Sequence, residues 1–302
     1  MSVHDGLDRP RVPRTTWVGL AAAAVYLVFA AVLGNVFGAL AGDDESAEFV
    51  LSHYIPLPIA IVLGLVFLRY ARWGCGVWAE APTPTLRPRR WWLVSIPVLM
   101  VLLPLVQLPA TPWGARPFGT VLVVVIGTIL VGVGEELFFR GILLDAVRAR
   151  HGELVTLLVT AIAFGLAHVV GSIWAGVPAA AILFQVTFLA MNGSLYYWVR
   201  RVSGRLWVAM AVHAMTDCVL YLAAGPSRAT DALTDQQDDR SADPLLATLQ
   251  ILLIIAAVVG LVSAAREDRR TRRLRREQTA DTTTGTATTG TPATGTSTTG
   301  RP

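Results

Sequence analysis

A chain of 302 residues that is 54% hydrophobic and only 15% charged falls well short of the ~25% charged residues usual in a soluble domain. Its apolar residues stand in blocks too long for buried strands or core helices, which excludes a soluble α/β fold and predicts a polytopic membrane protein. The formal net charge is +4, and every basic residue is arginine. The arginines gather in a few loops, which suits orientation in a membrane rather than nucleic-acid binding.

In chain order the sequence predicts an all-α, multi-pass transmembrane bundle of about eight spans, at 17–41, 50–71, 91–109, 118–148, 153–171, 178–200, 206–224 and 244–265. Residues 1–16 form a short leading segment. Ala39–Ala41 resembles a signal cleavage site, but the uncharged run from Thr15 to Gly42 is too long for a signal core, so the first span is retained. Basic and non-basic loops alternate: arginines precede span one, then follow spans two, four, six and eight, while "GDDESAE" and "GPSRATDALTDQQDDRSAD" are acidic. The positive-inside rule puts both termini in the cytoplasm. Arginines at 266–276 suit contact with anionic lipid. The Thr/Gly/Ala repeat at 279–302 lacks apolar periodicity and should be disordered. Cys75 and Cys218 have no metal-ligand spacing and are not expected to pair. Threonine-, alanine- and arginine-rich usage fits a GC-rich bacterial genome, hence a bacterial cytoplasmic membrane.

The fourth span is overlong and carries charge. "VGVGEELFFRGILLDAVRAR" follows residues 118–134, which hold no charge at all. A carboxylate inside lipid costs about 2.5 kcal/mol or more. Glu136 and Arg140 are four apart and can pair on one helix face. Glu135 sits ~100° away and is left over. Span five contains Phe164 and His168 on one face, and span seven contains His213 and Asp217 on another. At about 1.5 Å per residue, Glu135 lies ~20 Å from a boundary near Arg148, His168 ~22 Å from Glu153, and His213 and Asp217 ~12 and ~18 Å from Arg205. These depths overlap. If the span ended at Gly134, His168 would have no partner, so the charges belong inside the membrane.

Such a set allows hydrolysis. A carboxylate can act as general base toward water, with a histidine orienting it or sharing a metal. A second histidine with an aspartate can donate to an oxyanion, or the aspartate can fix the imidazole tautomer. Glu135, His168 and His213 would also suit zinc. Asn35, His53, Gln107, Asn192 and Ser194 read as packing or interhelical contacts. A proton-coupled transporter would also bury carboxylates and histidines, but calls for internal repeats with broken helices, and the sequence shows no repeat.

"EELFFR" (135–140), "FGLAH" (164–168) and "HAMTD" (213–217) resemble, in order, the three motifs of the CPBP family. These are the CAAX-protease and bacteriocin-processing intramembrane endopeptidases, also called the abortive-infection family. "VSGRLWVAMAVHAMTD" resembles the approach to the third motif. The resemblance covers about residues 90–224, which would be the peptidase core of a transmembrane domain at 17–265. It implies Glu135 as the water-activating glutamate, with His168 assisting. His213 and Asp217 would stabilise the oxyanion or complete a metal site, and Glu136 and Arg140, beside Phe164, would support them. The substrate would be a membrane-associated peptide or protein. Asp217 stands where family members often have Asn, which favours a cation in the site or a protonated carboxyl. A non-catalytic scaffold or immunity protein on the same fold is the alternative.

Overall fold

The computed structural model describes residues 10–224 and 243–287. The first nine residues, the acidic loop before Asp243 and the Thr/Gly repeat from 288 onward lie outside them. Among the described residues, eight helices are long and apolar enough to cross a membrane: α1 (Thr16–Ala41), α2 (Glu45–Ala71), α3 (Trp91–Ala110), α4 (Phe118–Arg148), α5 (Glu153–Trp174), α6 (Ala179–Ser203), α7 (Leu206–Ala223) and α8 (Pro244–Thr279). The chain is an integral membrane protein of the all-α class. The only sheet-like pairing among these residues is a single bridge between Ala79 and Arg205.

Two boundaries differ from the sequence reading. Helix α2 begins at Glu45 rather than near residue 50, because Asp44 caps it, its carboxylate accepting from the Ser46 and Ala47 amides at 3.0 Å each. The "GDDESAE" acids therefore lie largely in the first turns of a helix, where the dipole favours them. Helix α8 runs straight through the arginine run, and its helical backbone continues to Ala287. Arg273 and Glu277, four apart, are paired at 2.7 Å in that extension, as helix-surface spacing allows.

Helix α4 is the axis of the bundle. Residues 136–144 are all buried, so this half of the helix has no lipid face. Its last turns widen into a π-helix at Leu137–Leu143. Helix α1 packs along that segment and has its own π-helical stretch, Val28–Leu33. The tightest pairings are α4 with α7 and α5 with α6. A Cβ at Gly132 would stand 2.8 Å from backbone atoms of Met210 and Ala214, so glycine is what lets α4 and α7 approach. Gly193 of α6 likewise lies close against Ala161 of α5. Lipid supplies no hydrophobic drive between helices, so such close backbone contact is what holds them.

At one end of the bundle the arginines meet acids. Arg201 reaches Glu153 at 2.7 Å, Glu267 at 3.2 Å and Glu80 at 3.6 Å. Arg148 reaches Glu80 and Glu153 at 3.0 Å each, and Arg90 pairs with Glu267 at 2.7 Å. Asp268 of α8 caps α5 from a distance, accepting from the Glu153 amide at 2.7 Å and the Leu154 amide at 3.2 Å. Gly152 leaves the room: a Cβ there would collide with the Asp268 carboxylate. The helix ends that the alternating loops assign to one side thus share one face.

Candidate active site

The site is built around Glu136. Its Oε1 accepts from Arg140 Nη1 at 2.9 Å, and both side chains are 0% exposed. The same oxygen accepts from His213 Nδ1 at 2.9 Å. A carboxylate held by an arginine can only accept, so Nδ1 carries the hydrogen and the His213 tautomer is set from α4. Arg140 is in turn held through both terminal nitrogens, while its Nε has no hydrogen-bond partner among the described residues. Its Nη2 donates to the Gly193 carbonyl at 3.1 Å, and its guanidinium lies 4.1 Å from the centre of the Phe164 ring. Arg200 donates to the Arg140 backbone carbonyl.

His213 is clamped by aromatics. The Tyr196 ring stacks on it at 4.4 Å and 15°, and Phe164 meets it edge-on at 5.7 Å. Its other nitrogen, Nε2, faces forward, 3.4 Å from Asp217 Oδ2 and 3.7 Å from Glu135 Oε2. Glu135 and Asp217 are the partly open members, with side chains 14% and 20% exposed. Glu135 Oε2 has no hydrogen-bond partner among the described residues.

His168 occupies a break in α5, where one helical run ends at Ala167 and the next starts at Val169. Its Nδ1 donates to the Phe164 carbonyl at 3.0 Å, a bond that leaves Nε2 as the free acceptor. The Phe164 ring stands against it at 5.2 Å. The same Phe164 ring meets His213 and Arg140, so it joins the second motif to the first and the third. The three motifs therefore converge, with Glu135, His168, His213 and Asp217 in front and Glu136, Arg140 and Phe164 sealed behind.

Three features escape the sequence reading. Tyr196 lies in an apolar run with nothing to mark it. Glu136 serves a histidine 77 residues away as well as its own-helix arginine. The tautomer of His213 is fixed by Glu136, while Asp217 lies on the opposite nitrogen. The remaining polar residues keep to local partners. Asn35, Asn192 and Ser194 bond carbonyls of their own helices. His53 does so too, bonding the Phe49 carbonyl at 2.9 Å, and meets α7 only through an edge contact with the Tyr221 ring. Cys218 is free. A cleft of about 520 Å³ lined by Arg11, Val66, Arg69, Tyr70 and Arg72 involves none of the site residues.

Among the described residues no group of three or more His, Cys, Asp or Glu side chains is arranged to hold a metal ion. Glu135, His168 and His213 do not form such a group, although the bond from His213 Nδ1 to Glu136 leaves Nε2 as the nitrogen a metal could take.

No curated protein and no solved structure matches the chain. Residues 117–219, about a third of the chain and the part that carries all three motifs, match the family model described as type II CAAX prenyl endopeptidase Rce1-like.

Proposed function

We propose that the protein is an intramembrane endopeptidase in which Glu135 activates water to hydrolyse a peptide bond of a membrane-associated substrate. One observation carries this reading. Of two adjacent glutamates, Glu136 is fully buried and gives Oε1 to both Arg140 and His213, while Glu135 is partly exposed and its Oε2, 3.7 Å from His213 Nε2, accepts no hydrogen bond. A structural role accounts for the first carboxylate and not for the second.

Glu135 takes one proton from water as the water oxygen bonds the carbonyl carbon. His168, anchored through Nδ1, offers Nε2 to the second water hydrogen and so aims a lone pair. The carbonyl π pair moves onto oxygen, where His213, as an imidazolium held by Glu136 at Nδ1 and faced by Asp217 at Nε2, donates its Nε2–H. Collapse of this adduct breaks the C–N bond, and Glu135 returns its proton to the leaving nitrogen. The products are an amine and a carboxylic acid, which gives up its proton to solvent as it leaves. The alternating basic loops support termini in the cytoplasm and a site reached from that face, in a bacterial cytoplasmic membrane.

The test is cleavage by full-length protein in proteoliposomes, using quenched-fluorescent peptides with and without an S-farnesyl-cysteine near the C-terminus. Glu135→Gln keeps the shape and removes the base, so kcat should fall by about 10²–10⁴-fold. Full cleavage by Glu135→Gln would sink the reading.

A further inference from the structure

Helix α1 lies outside the segment that matches the family, yet it sends one side chain to the site. Tyr26 is 1% exposed. Its ring stacks on Phe138 at 5.0 Å and meets Phe139 edge-on at 6.3 Å. The hydroxyl stands beside the residue that precedes Glu135: a Cβ at Gly134 would lie 3.0 Å from the Tyr26 oxygen and 2.9 Å from its Cε2. Glycine at 134 is what lets the phenol in.

That hydroxyl has no hydrogen-bond partner among the described residues. A buried hydroxyl in that state is costly, and phenylalanine would fill the same aromatic slot without the cost. Glu135 Oε2, one residue along α4 from Gly134, also lacks a hydrogen-bond partner among the described residues. A donor and an acceptor that do not bond one another directly are surroundings in which a bridging water is stable.

We propose that Tyr26 is a further active-site residue, whose hydroxyl donates to the water that Glu135 activates. The water then accepts from the phenol, gives one hydrogen to Glu135 and keeps a second lone pair for attack. The catalytic unit is thus completed by the first helix rather than contained in the three motif helices. This rests on Glu135 as base, and the two can fail separately.

The experiment uses full-length protein in a lipidic mesophase, as wild type and as Tyr26→Phe, at a resolution that orders water. The expected result is a water within hydrogen-bond distance of Tyr26 Oη and Glu135 Oε2, displaced or lost in Tyr26→Phe. A Tyr26 hydroxyl bonded directly to a protein atom, with no water between it and Glu135, overturns the proposal. In proteoliposomes with the farnesylated peptide, Tyr26→Phe should lower kcat by about 10- to 100-fold with KM and melting temperature unchanged. The ring packing is retained, so a purely structural role would not produce that split. Unchanged kcat in Tyr26→Phe alongside a dead Glu135→Gln defeats the Tyr26 proposal alone. An active Glu135→Gln defeats the base assignment, and the bridging water then still reports on Tyr26.

Discussion

Replacing Arg140 by methionine should separate two roles of the buried ion pair. Arg140 and Glu136 are both 0% exposed and 2.9 Å apart. Arg140→Met leaves the Glu136 charge facing only His213. Removing one partner of a buried pair costs about 3–5 kcal/mol, because the other charge stays uncompensated. The donation to the Gly193 carbonyl and the contact with Phe164 vanish too, but these are coupled to the pair and do not simply add. At roughly 2–4 °C per kcal/mol for a chain of this size, the melting temperature should fall by about 6–20 °C. Nine tryptophans make intrinsic fluorescence in detergent a direct readout. The double variant Glu136→Leu/Arg140→Met carries no stranded charge and should recover most of that loss. It should still be inactive, because His213 Nδ1 has lost its acceptor. A double variant that melts as low as the single one would refute the stranded-charge reasoning. A single variant that melts like wild type would refute the burial itself.

Two further outcomes follow from other parts of the molecule. Dialysis against EDTA and 1,10-phenanthroline should leave cleavage within about twofold if water activation needs no Lewis acid, whereas a loss reversed by added zinc would overturn the water-only scheme. Asp268→Ala removes the acceptor of two amides at the start of α5 and should cost about 1 kcal/mol, read as a drop of a few degrees in melting temperature with kcat unchanged; a drop in activity at constant stability would contradict a pure capping role.

Much of this molecule is legible in its residues. Eight apolar blocks map onto eight helices, and the overlong span at 118–148 is a single run, Phe118–Arg148, so its carboxylates do lie within a helix rather than at its end. Pairs four apart, such as Glu136 with Arg140 and His213 with Asp217, follow from helical geometry alone. What stays hidden is set by packing between helices. Glu136 and His213 are 77 positions apart, and no local period connects them. Tyr196 and Tyr26 sit in runs whose apolarity already suffices for a span, so a phenol there looks like filling. The start of α2 was misplaced because Asp44 acts through its own cap, which a hydropathy window averages away. The reach of α8 into its arginine run was missed for a related reason: the run is too polar to be a span, yet it makes a good helix.

The π-helical stretch Leu137–Leu143 bears on how this site could change over time. A π turn holds a residue more than an α turn. Rewinding the same residues into a regular α ladder would turn everything beyond them by ~100°. Asp145 would leave Arg14, and Arg148 would leave Glu80 and Glu153, while Glu135 and Glu136 stayed in place. The stretch works as a phase correction between the reacting end of α4 and its charged end. Removing one residue as the ladder turned regular would keep that phase, so the two ends depend on the residue count and the wide turn together, more than on the identity of the apolar residues that fill the stretch.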